Sequence, residues 1–363
     1  MLAVLIESIL NKWRTMPQAH VDLTGRTVVV TGSNTGLGLD SAKMFYEMNP
    51  ARLILAVRSL EKGEAAKQSI LSLHAGTASS ENAPSVEVWK LDMADFSSVV
   101  QFAERCEKEL ERLDVFLANA GVASESWAVT KDGWEQGIQV NVLSTILLSL
   151  LVTDKMVQTS KLTAPKPGIE FVPHLVIVAS DVHFFAPFSD RTQPNILVAL
   201  NDQKRFNSST RYTDTKLFEI LLTRHLAQHH PVYASSNGKG PVLCTVNPGF
   251  TRSDFHRDWS PVFKWIMYSV MARPTREGAK NLIWASLDAK ITSGSYVSSC
   301  KVTQPSAFVR SDEGVEAGKK LWKELVAILN GVAPQKRMRG HSEAMTPKPP
   351  SRQLDLATGI SAM

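Results

Sequence analysis

Short apolar runs alternate with stretches in which apolar residues recur every three or four positions, from Arg26 to about Leu329. Several runs contain almost no polar residue, which is typical of parallel strands covered by helices on both faces of the sheet. The alternation predicts one doubly wound α/β domain with a parallel sheet of about seven strands. The predicted strands are Thr27–Thr31, Arg52–Val57, Val86–Leu91, Val115–Ala118, Leu175–Ala179, Val242–Val246 and Ser295–Ser299.

The stretches between the predicted strands are expected to form helices that flank the sheet. The last of them has Ser311 or Asp312 as its predicted N-cap, because both side chains accept hydrogen bonds from a first helical turn. The predicted helices are Leu37–Met48, Leu60–Leu73, Ser97–Leu110, Trp134–Gln158, Thr213–His229, Arg276–Leu287 and Glu313–Asn330.

Two terminal segments lie outside this alternation of strands and helices, and they flank a single predicted domain of residues 21–330. Residues 1–20 are predicted to form an amphipathic helix, with apolar side chains on one face at Leu2, Leu5, Ile6, Ile9, Leu10 and Trp13. A spanning helix needs about 20 apolar residues, so this helix is expected to dock on the protein or on a second subunit, with a peripheral membrane anchor as the alternative. Residues 331–363, rich in Pro, Ser and basic residues, are predicted to be disordered.

The charge balance argues against nucleic acid as a partner. The chain has 363 residues and a formal net charge of +5, but residues 331–363 contain five Lys and Arg against two acidic residues and so account for +3 of it. The predicted domain therefore has no basic face. Cys106, Cys244 and Cys300 lie far apart and show no metal-binding spacing. We expect no metal, reduced thiols and a cytoplasmic or similarly reducing compartment.

A glycine-rich segment follows the first predicted strand and reads Thr31-Gly32-Ser33-Asn34-Thr35-Gly36-Leu37-Gly38. Gly32 allows a tight turn, Gly36 lets the backbone approach a pyrophosphate, and Gly38 lets the next helix pack close to the sheet. The start of that helix offers unpaired N–H groups and a positive dipole end to phosphate oxygens. The segment therefore predicts a Rossmann-type dinucleotide site.

The end of the second predicted strand bears on the choice of dinucleotide. A carboxylate there would bind the ribose of NAD, but the chain reads Leu55-Ala56-Val57-Arg58-Ser59. A guanidinium can hold a 2′-phosphate through two hydrogen bonds. Arg58 therefore favours NADP(H) as the cofactor.

Tyr212 and Lys216 stand four residues apart, at the start of a predicted helix, and so share one face. A tyrosine has a pKa near 10, and a nearby ammonium favours its ionised form, which suits a general acid or base. About 0.3 such pairs would arise by chance in a chain with five tyrosines, so spacing alone is a weak signal. Position strengthens it, because Ser180 ends the preceding strand and can donate a hydrogen bond to the same substrate oxygen.

These motifs, over about residues 24–300, resemble the short-chain dehydrogenase/reductase family, whose glycine spacing is T-G-x-x-x-G-x-G. The resemblance implies an oxidoreductase that interconverts a carbonyl group and an alcohol with a nicotinamide cofactor. It also implies that Tyr212 is the acid or base, that Ser180 and Lys216 assist it, and that Asn141 holds a water linking Lys216 to solvent. These four residues are the expected catalytic set.

The resemblance also implies cofactor contacts that lie outside the glycine turn. Asp92 is expected to contact the adenine, Asn119-Ala120-Gly121 to shape the sheet beneath the cofactor, and Asn247-Pro248-Gly249 to form the turn below the nicotinamide. Where relatives carry a threonine for the carboxamide, this chain offers Ser253, with Thr251 as the second candidate. The expected cofactor-binding residues are Gly32, Ser33, Asn34, Gly36, Leu37, Gly38, Arg58, Asp92, Asn119, Tyr212, Lys216, Thr251 and Ser253.

Within the family, Asp22-Leu23-Thr24-Gly25-Arg26 and Arg58-Ser59-Leu60-Glu61-Lys62-Gly63 are most similar to the retinol-dehydrogenase-like branch, which includes many fungal reductases. The family pairs its subunits through the helices that match Trp134–Gln158 and Thr213–His229. A homodimer is therefore an expectation from the resemblance. The N-terminal helix and the long insert leave the oligomeric state open.

The substrate is expected to be bulky and apolar. Ser180 and Tyr212 are 32 residues apart, against about a dozen in the family, and the insert at 183–207 is expected to form a flap with Phe184, Phe185 and Phe188. Large apolar residues also follow Ser253, at Phe255, Trp259, Phe263, Trp265, Met267, Tyr268 and Met271. Such a lid suits a polyketide, terpenoid, retinoid or steroid-like substrate, as in secondary metabolism. The alternatives are a catalytically idle dinucleotide sensor and an NAD-linked alcohol dehydrogenase.

Overall fold

The computed structural model describes residues 15–74, 83–165, 171–234, 240–251 and 272–333. They form one α/β domain around an eight-stranded sheet of order β3-β2-β1-β4-β5-β6-β7-β8. The strands β1 to β7 pair in parallel, as predicted, so their carboxyl ends meet at one edge of the sheet. The strands are β1 Thr27–Thr31, β2 Arg52–Val57, β3 Ser85–Lys90, β4 Val115–Ala118, β5 His174–Val178, β6 Val242–Asn247, β7 Tyr296–Ser298 and β8 Lys301–Thr303.

The eighth strand was not predicted. It pairs antiparallel with β7 through a two-residue turn at Ser299 and Cys300, whose φ angles are 53° and 52°. Positive φ at both central positions matches the twist of a tight hairpin, but that turn usually shows itself in sequence by Asn-Gly or Asp-Gly. Ser-Cys gives no such signal.

Helices cover both faces of the sheet. Among the described residues, the helices of ten or more residues are α1 Gly36–Tyr46, α2 Leu60–Leu71, α3 Phe96–Glu109, α4 Thr145–Ser160, α5 Ser208–His229, α6 Thr275–Leu287 and α7 Asp312–Val332. On one face of the sheet, α3, α4, α5 and α7 pack against the strand side chains that point to that face. On the other face, α1, α2 and α6 pack against the alternate strand side chains. A π-helical segment, Ile138–Ser144, leads into α4.

The ends of the chain differ from the prediction. Residues 15–20 are not helical, and Met16 is buried with its N–H donating to Glu277 at 3.0 Å. The predicted N-terminal helix therefore does not reach residue 20, and its first 14 residues lie outside the described residues. At the other end, α7 is N-capped by Ser311 and continues to Val332, so the predicted tail cannot begin at 331. The rest of that tail, from 334, lies outside the described residues.

Part of the insert at 183–207 packs onto the domain, and its role as a flap near the active site stays a prediction. Its short helix, Ile196–Leu200, has two N–H groups that donate to Glu324 of α7 at 2.9 and 2.8 Å. Phe188 is buried against Phe218 of α5, with ring centroids 4.8 Å apart. Through these contacts, part of the insert belongs to the same hydrophobic core as α5.

One helix of the described residues, Ile138–Ser160, is long and apolar enough to cross a bilayer by length and composition. Most of its apolar stretch is buried inside the domain, where it packs against α3 and the core strands. Burial between the sheet and neighbouring helices explains its composition without a membrane.

Candidate active site

The glycine segment forms a tight turn between β1 and α1 at the carboxyl edge of the sheet. Gly32 and Gly36 have φ angles of 66° and 57°, which favour glycine. A Cβ on Gly38 would lie 2.4 Å from the carbonyl oxygen of Gly32, so this position also excludes a larger residue. The predicted glycines thus each meet a steric demand of the turn.

The turn also carries unused hydrogen-bonding capacity suited to a phosphate. The Ser33 hydroxyl is fully buried and has no hydrogen-bond partner among the described residues. Asn34 and Leu37 are half-buried beside it, and the first turn of α1 contains no acidic residue. A buried hydroxyl without a partner is costly unless a ligand satisfies it, and the helix N-terminus favours an anion there. The residues of the turn therefore fit the phosphates of a dinucleotide.

Asn119, at the end of β4, holds the glycine turn in place. Its amide nitrogen donates to the carbonyl oxygens of Thr31 at 2.9 Å and of Gly32 at 3.3 Å. The Thr31 hydroxyl accepts from the N–H groups of Asn119 and Ala120, both at 2.9 Å. Asn119 therefore acts on the cofactor site through the shape of the turn.

Two cations lie side by side at the ends of the neighbouring strands β2 and β3. Arg58 is exposed at the strand end, and Lys90, the last residue of the neighbouring strand β3, donates a hydrogen bond to the carbonyl oxygen of Arg58. Sequence reasoning missed Lys90, because only the pairing of β2 with β3 brings it beside Arg58. Asp92 follows two residues later, and its carboxylate accepts from the N–H of Ala94 at 3.0 Å.

Tyr212 and Ser180 meet at the carboxyl edge of β5. Tyr212 lies in the second turn of α5, a helix that begins at Ser208 because Asn207 caps it, five residues before the predicted start. The Ser180 side chain makes a hydrogen bond to Tyr212. Burial raises the pKa of Tyr212 above its ordinary value, and the negative charges of Glu219 and Asp181 raise it further, while the Ser180 hydrogen bond opposes them. The phenol is therefore held in its proton-bearing form.

Lys216 shares the face of Tyr212, as predicted, with its Nζ 5.7 Å from the centroid of the tyrosine ring. Nζ donates to the carbonyl oxygen of Val178 at 2.8 Å and to both carboxylate oxygens of Glu219 at 2.8 and 3.1 Å. Lys216 and Glu219 are both buried. Sequence reasoning missed Glu219, although its three-residue spacing from Lys216 is a signal for a helical ion pair.

Asn141 lies in the π-helical segment and ties the end of β4 to α5. Its amide nitrogen donates to Val122 O at 2.8 Å and to the Thr215 hydroxyl at 3.0 Å, and its oxygen accepts from Val122 N at 2.8 Å. The side chain thus holds the loop that carries Gly121 next to Lys216. The water-holding role expected for Asn141 stays a prediction.

The turn after β6 lies at the same edge of the sheet as the glycine turn. Asn247 accepts from the N–H of Gly249 at 2.9 Å, and Gly249 has a φ of 74°. Thr251 is buried and pairs with Arg273, whose guanidinium packs against Gly249. Ser253, and the apolar lid residues predicted from 255 to 271, lie outside the described residues.

Sequence reasoning also missed His183, which fixes the backbone at Ser180. Its Nε2 accepts from the N–H of Ser306 at 3.1 Å, so Nδ1 carries the proton and donates to Ser180 O at 2.7 Å. The ring packs against Tyr296, with centroids 5.1 Å apart. Burial lowers the pKa of His183 to about 4. A neutral histidine thus joins Ser180 to the segment before α7.

We expect acid to remove the stabilisation that depends on neutral His183. The folded-state pKa, about 4, lies below the usual value of 6.5, so the unfolded chain binds more protons between these values and stability falls as pH drops through that window. The loss attributable to this residue is about 3 kcal/mol. Urea unfolding should therefore show the stability gap between wild type and His183→Gln closing by about that amount from pH 7 to pH 4. A gap that stays constant would contradict the assignment.

In the described part of the chain, no group of His, Cys, Asp and Glu side chains is arranged to hold a metal ion. Cys106, Cys244 and Cys300 are buried thiols without disulfides.

The chain is similar in sequence to known proteins. The family model described as short chain dehydrogenase matches residues 26–162. The chain is 36% identical over 327 residues to the short chain dehydrogenase/reductase dmxR8 of Cryptosporiopsis sp. (strain 8999), covering 89% of this chain and 96% of that protein. It is 38% identical over 300 residues to the short chain dehydrogenase sol3 of Alternaria solani, covering 82% and 97%.

Solved structures share the fold at lower identity. An uncharacterised protein of Mycobacterium paratuberculosis superposes with a TM-score of 0.61 at 23% identity, covering 88% of this chain and 98% of that one. A short chain dehydrogenase of Burkholderia cenocepacia J2315, solved in complex with NADP, gives 0.54 at 18% identity, covering 76% and 97%. Because two fungal relatives match at more than 30% identity over nearly their whole length, the chain belongs to the short-chain dehydrogenase/reductase family of oxidoreductases.

Proposed function

We propose that the protein is an NADP(H)-dependent reductase that interconverts a ketone or aldehyde and an alcohol on a bulky apolar substrate. The observation that carries the proposal is the meeting of the Tyr212 phenol with the Ser180 hydroxyl, on the same helical face as Lys216. Ser180 follows β5 at the carboxyl edge of the sheet. β5 is the neighbour of β4, and Asn119 at the end of β4 holds the glycine turn. In a doubly wound sheet, ligands bind at that edge.

A bound nicotinamide would supply or accept the hydride. In the reduction direction, Ser180 donates a hydrogen bond to the carbonyl oxygen and Tyr212 gives that oxygen its proton. Burial keeps the phenol protonated, which suits an acid, and the ammonium of Lys216 stabilises the phenolate that remains. In the oxidation direction, the steps are reversed and Tyr212 acts as the base.

The preference for NADP(H) rests on the cations at the ends of β2 and β3. Replacing both Arg58 and Lys90 with Ala is expected to weaken NADPH binding by about tenfold to a hundredfold, because charge-assisted hydrogen bonds to the 2′-phosphate are lost. The affinity for NADH, which lacks that phosphate, is expected to stay unchanged and serves as the internal control. Titration of cofactor fluorescence measures both constants. Equal or better turnover of NADH by the wild type would contradict the preference.

The substrate class is supported by composition around the site. Phe184 is half-buried and Phe185 is 41% exposed, four and five residues after Ser180, and we propose that both add apolar surface to the site. Phe188 is buried in the core, so it no longer counts toward the substrate surface. We propose a polyketide-, terpenoid-, retinoid- or steroid-like ketone or alcohol, a cytoplasmic enzyme and a homodimer, with the N-terminal helix as a further contact for a second subunit or a membrane surface.

A screen of hydrophobic ketones and aldehydes with NADPH, read by the fall in NADPH absorbance, tests the proposed function. Turnover of bulky ketones in preference to small polar ones is the expected result. Binding of NADPH without turnover of any compound in a broad panel would favour a dinucleotide sensor.

A further inference from the structure

Glu219 is a buried carboxylate behind the Tyr212 and Lys216 pair, and the proposed reaction does not use it. It lies one turn after Lys216 on α5, and its side chain is 2% exposed. Both of its oxygens accept from the Lys216 ammonium, which is also bound to the carbonyl oxygen of Val178. A buried ion pair of this kind contributes little net stability, because desolvation offsets the attraction between the charges.

The ionised carboxylate opposes the effect of Lys216 on Tyr212. A cation beside a phenol lowers its pKa, but the negative charge of Glu219 raises the pKa of Tyr212 and is, after burial, the largest influence on it. As long as Glu219 is ionised, the charge of Lys216 is compensated within its ion pair. The phenolate that the reaction requires is then poorly stabilised.

The ammonium also lies close to the loop that follows β4. A Cβ on Gly121 would lie 3.6 Å from Lys216 Nζ and 3.3 Å from Asn141 Oδ1. The same loop reaches the glycine turn through the side chain of Asn119. A dinucleotide whose phosphates are held at that turn can therefore extend along this loop toward Lys216. It would attract the ammonium and add negative charge near the carboxylate, and both effects favour protonation of Glu219.

We propose that Glu219 takes up a proton when the dinucleotide binds, which releases the charge of Lys216 to the cofactor and to Tyr212. The carboxylate becomes a carboxylic acid, the proton comes from solvent, Lys216 stays an ammonium and nothing is oxidised or reduced. The inference rests on the proposed function, because it requires a dinucleotide at the glycine turn. Burial already raises the pKa of Glu219 to about 7, so a modest further rise is sufficient.

Among the described residues, no second charged group acts on Glu219. Lys216 is the charged group that shifts the pKa of Glu219. The charged side chains of α7, which also packs on α5, do not shift it. Asp181, on the turn that packs against α5, acts on Tyr212. The π-helical segment and β6 contain no charged residue. A proton taken up at this site is therefore assigned to Glu219.

Calorimetric titration with NADPH at pH 8, in buffers of different ionisation enthalpy, measures the protons taken up per cofactor bound. The wild type is expected to take up roughly half to one proton, and Glu219→Gln close to none, because an amide does not titrate. Glu316→Gln is the matched control, since Glu316 pairs with Lys319 at the same three-residue spacing but on the surface. It should take up as many protons as the wild type.

Two further measurements keep the outcome clear. Lys216→Met leaves Glu219 buried without its cation and hence protonated before NADPH arrives, so this variant should also take up close to none. An infrared difference spectrum of NADPH binding should show a new carboxylic-acid C=O band in the wild type and no such band in Glu219→Gln. Equal proton uptake by the wild type and Glu219→Gln would overturn the inference and leave the reductase proposal standing. Failure of the wild type to bind NADPH would overturn the cofactor assignment and this inference with it.

Discussion

Replacing Tyr212 with Phe is expected to reduce NADPH-dependent turnover by roughly a thousandfold, because general acid catalysis contributes about 10²- to 10⁴-fold in enzymes. The variant loses one hydroxyl and keeps the ring that packs beside Lys216. Ser180 would still donate to the substrate oxygen, but no group would deliver the proton. The measurement is kcat for the best ketone of the screen, together with the NADPH affinity, which should change little.

The matched control is Tyr233→Phe, which removes the same atom from another buried tyrosine. The Tyr233 hydroxyl is hydrogen-bonded to Thr153 at 2.7 Å, just beyond the opposite end of α5. Its loss is expected to lower stability by about 1 kcal/mol and to leave kcat unchanged. A Tyr212→Phe enzyme that retained wild-type turnover would show that another residue supplies the proton.

The sequence was sufficient for the parallel sheet and for the residues of the glycine turn, because both depend on local rules. Buried strands need apolar side chains on both faces, and a strand-to-helix turn at Gly32 and Gly36 needs positive φ angles. The meeting of Ser180 with Tyr212 also follows from topology, since the end of β5 and the start of α5 share one edge of the sheet. Each of these features is readable from spacing and residue type.

The remaining features depend on contacts between distant segments. Lys90 reaches Arg58 only through strand pairing, and His183 reaches Ser306 across 123 residues of chain. The insert was expected to form a flap near the active site, and Phe188 was counted among its substrate contacts. Glu324 of α7 binds the backbone of the insert, and no sequence pattern indicates that pair. Residue type alone could not separate a core phenylalanine, such as Phe188, from one that lines a pocket.

Gly38→Ala is expected to destabilise the protein by about 3 kcal/mol and to weaken NADPH binding by at least about tenfold. In an ordinary helix, Ala is favoured over Gly by up to about 1 kcal/mol. Here the new Cβ would lie 2.4 Å from Gly32 O and 2.6 Å from Asn119 Nδ2, so the backbone of the turn must move. Overpacking of this kind costs about 1–3 kcal/mol, and moving the turn also misplaces the N–H groups for the phosphates.

Gly331→Ala provides the contrasting control, because its added Cβ would meet nothing within 4 Å near the end of α7. That change is expected to leave NADPH affinity unaltered and to raise stability by between zero and about 1 kcal/mol. Urea unfolding and cofactor titration of both variants separate helix propensity from the steric demand of the turn. A Gly38→Ala variant that was as stable as Gly331→Ala and bound NADPH equally well would contradict this prediction. It would show that the cofactor site does not depend on close packing of α1 against the glycine turn.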